Sequence, residues 1–359
     1  MRFSIYLNPQ TRGAHEDVEI IETITAQAVE ATRAGVDGIA LTEHHFSDYN
    51  TYGNNFMLAS YLAPQVPAGT KFALAVAVPT LHNPMRLAQS CNLLDILTRG
   101  ELIVGFAAGG SPVEYAGLGR NPATRHQEMI HNLDVMEAAL DKLPEDPPLE
   151  WETVFESGSL RTRIMPSAYH RSKPAFARGT QNDEGVTWTA ARGWHLFTAR
   201  ETAEVLGERL EFYRKALHEH GHGDRVEELL DWSMVQKQVY LAPTDEEAQS
   251  SIRERMRAMA DFNTKLFGLT GDVKESEKLR SVVGVSPTEP DEFLAKAMIV
   301  GSPASVIEQI EEYQAYGARH MSLLFNFGFM TAEESWASLR LFLDEVLPHF
   351  RGRPHPGVR

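Results

Sequence analysis

The chain has 359 residues, 43% of them hydrophobic, which provides for a large core and excludes global disorder. Its 34 Lys and Arg stand against 49 Asp and Glu, a formal net charge of −15. A field of that sign repels phosphate backbones and anionic bilayers, so neither nucleic acid nor membrane is an expected partner.

Short apolar runs alternate with helical patterns from end to end. Arg2–Asn8 reads as strand one and Glu16–Ala34 as an amphipathic helix closed by Gly35. Ile39–Thr42 is a buried strand, and Asn55–Gln65 a helix stopped by Pro64 and Pro67. Phe72–Val78 is an unbroken apolar run, as a parallel strand covered on both faces requires. Pro84 opens the helix Met85–Thr98, and Leu102–Phe106 is strand four. Gly109-Gly110-Ser111-Pro112 then starts a long loop, Ala123–Leu143 is a helix, and Pro144–Pro148 with the next twenty residues reads as an irregular excursion. Ala175–Arg178, His195–Phe197, Ser233–Leu241 and His320–Phe325 are the later strands. Helices Glu184–Ala191, Thr202–His220, Thr244–Phe267, Ser302–Tyr316 and Glu333–Phe350 follow them, Thr244 with Glu247 forming a capping box. Gly268–Ala297 breaks the rhythm before the last strand.

Eight strand–helix units allow a barrel or a doubly wound sheet, and the count favours a (β/α)8 TIM barrel with insertions after strand four and before strand eight. No Gly-x-Gly-x-x-Gly follows strand one, against a dinucleotide-binding sheet. Residues 1–350 read as one domain and 351–359 as a mobile tail. The amino terminus runs into strand one without a signal peptide's apolar core, no apolar run approaches the ~20 residues that span a bilayer, and Cys91 has no partner for a disulfide. A cytoplasmic enzyme is the expectation.

In such a barrel the chemistry sits at the carboxyl ends of the strands. That selects Asn8, Glu43-His44-His45-Phe46, Pro79-Thr80-Leu81-His82, Ala107–Ser111, Thr180–Gly185 and Asn326-Phe327-Gly328. Successive residues point to opposite sides, so one of His44 and His45 is expected to face the mouth, where an imidazole suits proton transfer. Alternatively these polar groups satisfy strand-end backbone. A metal held by His44, His45 and His82 is disfavoured because no one-face ligand spacing such as His-Glu-x-x-His occurs. The histidine-rich His218–His222 reads as a helix end. Ala73, Ala75 and Ala77 either admit a flat ring at the mouth or serve close strand packing.

Taken together, these residues resemble the luciferase-like flavin-dependent monooxygenases of the bacterial luciferase α-subunit type. Glu43-His44-His45-Phe46 matches that family's motif after strand two, and Pro79–Arg86 its Pro-Thr-x-His-Pro-x-Arg segment with one residue inserted. Asn92-Leu93-Leu94-Asp95 with Arg99-Gly100 and Gly105, Pro166-Ser167-Ala168-Tyr169, Trp188 with Arg192-Gly193, Glu219-His220-Gly221 and Gly301-Ser302-Pro303 extend the match over nearly the whole chain. The resemblance implies reduced FMN supplied by a separate flavin reductase, dioxygen, and a small organic substrate. It makes His44 the catalytic proton-transfer residue and puts a non-prolyl cis peptide at Leu74-Ala75 behind the flavin ring. It makes Gly268–Ala297 a mobile lid, and it implies a homodimer or a heterodimer with a related barrel. Glu43, Leu74, Ala75, Ala108, Gly109, Asn182, Asp183 and Gly185 become the cofactor-binding positions.

The sequence departs from the family at the flavin phosphate. Ala108 stands where luciferase has Arg, and Gln181-Asn182-Asp183-Glu184-Gly185 replaces a Ser- and Thr-rich loop, with Arg178, Arg192 or Arg200 as compensating cations. Two other readings share the barrel: hydride transfer with the deazaflavin F420, and a non-catalytic partner subunit. Phe262, Leu266, Phe267, Phe293 and Met298 point to a substrate with hydrophobic surface, or else to lid packing.

Overall fold

A computed structural model describes residues 1–170, 173–253, 255–256 and 298–351. The parallel strands β1 (Arg2–Leu7), β2 (Gly38–Leu41), β3 (Lys71–Ala77) and β4 (Leu102–Phe106) follow one another in the sheet. Two antiparallel strands come next in the chain, β5 (Leu149–Glu152) and β6 (Ser157–Leu160). The barrel continues with β7 (Ala175–Gly179), β8 (His195–Ala199), β9 (Met234–Leu241) and β11 (His320–Leu324). β11 pairs with both β9 and β1, and β8 with β9, so eight parallel strands close on themselves. The extra strand β10 (Met298–Gly301), which the sequence does not mark, pairs with β9 from Gln238, the last residue that β11 also pairs, to Leu241. Helices α1 (Asp17–Arg33), α2 (Asn55–Leu62) and α3 (Pro84–Leu97) cross between the first four strands.

Strand alternation sorts side chains to two sides. Ala40, Ala73, Ala75, Ile103, Ala177, Phe197 and Met234 pack together in the lumen, while Ile39, Leu41, Phe72, Leu74 and Val104 join the larger core shared with the helices. Gly105 also faces the lumen: a methyl there would meet the Phe197 ring at 2.6 Å. Small residues in the lumen therefore make room for Phe197. Of the three alanines in β3, Ala73 and Ala75 look inward and Ala77 toward the helices. A separate cluster, Tyr240, Ala242, Ala248, Ile252, Met256, Met298, Leu324, Phe327 and Met330, gathers over the carboxyl ends of β9, β10 and β11, and Tyr6 packs against both it and the lumen.

The segment after β4 is more ordered than its sequence suggests. Ser111-Pro112 opens a short helix α4 (Pro112–Gly117), not a loop, and α5 (Arg125–Asp141) follows. The expected irregular excursion contains the β5–β6 hairpin, whose Leu-Glu-Trp-Glu strand alternates half-buried with exposed residues as a one-sided strand does. Later helices are α6 (Asp183–Ala191), α7 (Ala203–Glu219), α8 (Val226–Trp232), a helix α9 at 245–253, α10 (Pro303–Ala315) and α11 (Ala332–Leu341). Thr244 Oγ1 accepts from the Glu247 N–H at 3.2 Å at the start of α9. The last helix widens at Phe342–Val346, ahead of Pro348, which brings no N–H and would crowd the carbonyl a turn earlier. The expected lid, Gly268–Ala297, lies outside the described residues, as do 352–359 and Phe262, Leu266, Phe267 and Phe293. No helix among the described residues is long and apolar enough to cross a membrane.

Candidate active site

Glu43 stands just past β2, with 3% of its surface exposed. Its Oε1 accepts from His45 Nε2 at 2.9 Å and His82 Nε2 at 2.8 Å, and its Oε2 from the Val78 N–H at 2.9 Å. Burial pushes the carboxyl pKa up, but the hydrogen bonds from His45 and His82 outweigh it and hold the group at about 2. The bond to Glu43 in turn raises the pKa of His45, against the opposing effect of burial. Glu43 thus ties the β2 loop to the β3 loop, and His45 is bound to it.

His44 turns the other way. Its Nδ1 lies 2.8 Å from Oε1 of Glu114, a residue in the first turn of α4, 2% exposed. The His45 N–H reaches the same oxygen at 3.3 Å, and the Tyr49 ring stands edge-on to the His44 ring at 4.9 Å. An ionised carboxylate only accepts, so Nδ1 of His44 carries a proton and Nε2 is left as the basic nitrogen. The side chain is one-third exposed, at 33%. Glu114 was missed in the sequence, although Ser111-Pro112-Val113-Glu114 has the spacing of a capping box. Ser111 makes no side-chain cap here, and Glu114 serves the imidazole instead.

The non-prolyl cis bond lies at Ala75–Val76, one residue beyond the expected Leu74-Ala75. The register between β3 and β4 is regular through Leu74 opposite Val104 and resumes at Ala77 opposite Phe106, so the irregularity begins only after Leu74. Leu74 is fully buried toward the helices, whereas Ala75 faces the lumen. The Tyr6 hydroxyl donates to the Ala75 carbonyl at 2.9 Å and the Asn55 side-chain amide to that of Val76 at 3.3 Å. A methyl on Gly179 would lie 3.1 Å from Val76 and 3.5 Å from Ala107, so the ends of β3, β4 and β7 converge there.

Ala108 is buried, and its carbonyl accepts from the Tyr115 hydroxyl, which also bonds Thr80 Oγ1 at 2.6 Å. Gly109 beside it has a φ of +66°. Arg125, at the start of α5, acts electrostatically on Tyr115, and its Nε is buried with no hydrogen-bond partner among the described residues. One turn on, Glu128 Oε2 is likewise buried and unpartnered, as is Asn326 Oδ1 past β11. On the β7 side, Asn182 spends its side chain capping α6, accepting from the Gly185 N–H at 2.8 Å, while Asp183 is exposed and Gly185 buried. Arg178 and Arg192 both lie on the Trp188 ring, at 4.6 and 3.7 Å from its centroid, and Arg192 also pairs with Asp134 at 2.7 Å. Tyr6, Asn55, Glu114, Tyr115 and Arg125 join the site from the structure alone. No grouping of three or more His, Cys, Asp or Glu suited to a metal occurs among the described residues.

The profile of the luciferase-like monooxygenases matches residues 1–320. The oxygenase component of the flavin-dependent trigonelline monooxygenase of Acinetobacter baylyi is 22% identical, over 98% of this chain and 96% of its own. The alkanal monooxygenase alpha chain of Photobacterium leiognathi is 21% identical, over 93% and 94%. Monooxygenase RslO1 of Streptomyces bottropensis superposes with a TM-score of 0.77 at 20% identity, covering 98% of this chain and 100% of that one. The oxygenating constituent of 3,6-diketocamphane monooxygenase of Pseudomonas putida, solved with FMN, gives 0.73 at 21%, over 97% and 98%. An F420-dependent secondary alcohol dehydrogenase shares the fold at 0.71 and 15%, over 98% and 99%. A profile match over most of the chain, on a closed eight-stranded barrel, makes this protein an oxidoreductase of the luciferase-like monooxygenase family.

Proposed function

We propose that the protein is the oxygenase component of a two-component system, taking reduced FMN from a separate flavin reductase and using dioxygen to oxygenate a small organic substrate. The observation that carries this is the His44–Glu114 pair at the mouth, 2.8 Å apart. Flavin, when bound, supplies the electrons and the oxygen chemistry. The chain's residues fit it. Arg125, whose buried Nε has no partner among the described residues, would hold the phosphate that Ala108 cannot, and Glu128 Oε2 would accept from a hydroxyl of the sugar-alcohol chain. The Gly109 N–H, on backbone at a φ of +66°, would add to that anion site. Ala75 would support the flavin ring, and Tyr6 and Asn55 fix the carbonyls of Ala75 and Val76 at that point of the mouth. His44 Nε2 takes up or gives back the proton of the reacting centre while Glu114 fixes the ring's tautomer and angle. Glu43 acts through His45 and His82 as a positioning residue.

His44→Ala is expected to lower substrate turnover by about 10²–10⁴-fold while reduced FMN still binds. Unchanged turnover would remove His44 from the mechanism. Parallel titrations with reduced FMN and reduced F420 separate oxygenation from hydride transfer, and FMN is expected to bind. The chain further pairs with a second barrel through α2 and α3, where Met57 and Tyr61 are 70% and 60% exposed and Leu93 and Leu97 are 49% and 47% exposed.

A further inference from the structure

The first and last units of the barrel leave between them a cavity of about 150 Å³, whose lining takes no part in the chemistry proposed at His44. Arg12 and Glu16, ahead of α1, line it together with Glu19, Ile20 and Thr23 of that helix. Asn326 and Met330, between β11 and α11, complete the lining with the first residues of α11. The segment after β11 is held in place. Gly328 and Phe329 take φ values of +62° and +56°, the Gly328 N–H donates to Gln10 Oε1 at 2.7 Å, and the Arg12 guanidinium donates to the Phe329 carbonyl. A space of this volume admits a molecule about the size of benzene, and polar walls call for one that forms hydrogen bonds.

The lining holds acceptors that lack donors. Asn326 is 6% exposed, and its Oδ1 is buried with no hydrogen-bond partner among the described residues. Such an oxygen bears the full cost of desolvation until a donor reaches it. Thr23 is buried and makes no side-chain hydrogen bond among the described residues. Charge is unbalanced in the same sense. Arg12 is answered by Glu16, whose two carboxylate oxygens accept from its backbone N–H at 2.8 Å and from its guanidinium at 2.9 Å. The Glu19 carboxylate is left without an ion pair among the described residues. The start of α11 is closed by the reciprocal bonds of Thr331 and Glu334, and Glu333 and Glu334 offset its positive end. An anion would therefore face two carboxylates, and a bare metal ion would leave the apolar side chains of Ile20 and Met330 unused. We propose that this cavity binds a small primary alkylamine as its ammonium ion. The ammonium has three N–H donors, for Asn326 Oδ1, the Thr23 hydroxyl and the Glu19 carboxylate, and the alkyl body packs on Ile20 and Met330. Met330 also belongs to the apolar cluster over β9 to β11, so the occupant borders the packing of the mouth.

The test is a ligand-observed NMR titration of the full chain with n-butylammonium chloride. Parallel titrations use n-butanol, tetramethylammonium chloride and potassium chloride at one ionic strength. Wild type is expected to bind butylammonium saturably, and about fivefold or more tightly than butanol, which lacks the charge, or tetramethylammonium, which lacks the donors. Asn326→Leu and Glu19→Gln are each expected to weaken binding by about threefold or more, with thermal unfolding as the folding control. Glu19 is exposed, so its variant remains informative if Asn326→Leu does not fold. Equal affinity for butanol, or displacement of butylammonium by potassium, would overturn the assignment. So would the absence of saturable binding, or an unchanged affinity in folded Glu19→Gln. None of these outcomes bears on the flavin reading.

Discussion

A carboxylate that already accepts three hydrogen bonds has little left for a ligand. Glu43 is in that position, and its charge serves the two imidazoles and one amide that converge on it. Glu43→Gln keeps the shape but removes the charge that His45 and His82 answer. A loss of about 3–5 kcal/mol in unfolding free energy is expected by chemical denaturation, as for breaking a buried pair. In the proposed function Glu114 instead acts through His44, whose Nδ1 it meets at 2.8 Å. Glu114→Gln is expected to lower kcat by about 10–100-fold with KM nearly unchanged, because the tautomer and angle of His44 are then no longer fixed. A KM effect alone would place Glu114 in binding. Two further histidines report on folding. His195 and His320 are buried at the opposite end of the barrel, and burial lowers both pKa values from 6.5 to about 4. Below about pH 6.5 the unfolded chain takes up protons that the folded chain refuses until about pH 4. Their contribution is complete above that window and is lost through it as pH falls, up to about 3 kcal/mol each. Glu43 adds nothing over most of this range, since its own contribution is lost only as pH drops from 4.5 toward about 2. Denaturant melts of His320→Gln from pH 7 to 4 are expected to show roughly half the wild-type loss, and an undiminished slope would assign it elsewhere.

The elements were read most securely where one period ran without competition. β1 to β4 and their helices came out within a residue or two, except that α2 gives way to a tighter turn three residues before the expected Gln65; fully buried strands and Asn- or Pro-led helix starts leave little choice, and Asn54 caps α2 and Asn83 caps α3. The misses lie where a local rule was diverted. Glu114 had the spacing of a capping residue and was drawn to His44, and β5 hid its alternation among prolines and acids. β10 is four residues long and finds its partners in β9 from the last residue that β11 also pairs onward, a long-range fact with no local signal. The same packing logic predicts a cost inside the wall. Gly105→Ala sets a methyl 2.6 Å from Phe197 and 2.7 Å from the Leu74 carbonyl. A destabilisation of about 1–3 kcal/mol is expected from unfolding curves, and Phe197→Leu in the same chain is expected to recover part of it.

At the scale of the molecule, the barrel and the motif at its mouth were legible from alternation and from resemblance, while the partners of His44 and the candidate phosphate cation were not. Glu114 and Arg125 reach the site from α4 and α5, outside the strand-end positions that the barrel rule selects. The exposed apolar pairs on the adjoining helices α2 and α3 carry the proposed pairing of barrels. Met57→Glu with Leu93→Glu is expected to yield monomers in light scattering, against dimers for wild type, and dimers in the double variant would move the interface elsewhere. The two apolar bodies of the mouth have a bearing on descent. Tyr6 is the side chain packed against both the lumen and the methionine-rich cluster over β9 to β11. Glu43, His44, Ala75 and Glu114 belong to the first half of the chain, and Tyr240, Met298 and Met330 to the second. A lineage can therefore exchange the second set for other apolar shapes, and so change what the mouth admits, without rewriting the first. Tyr6 is the position at which both histories have to agree.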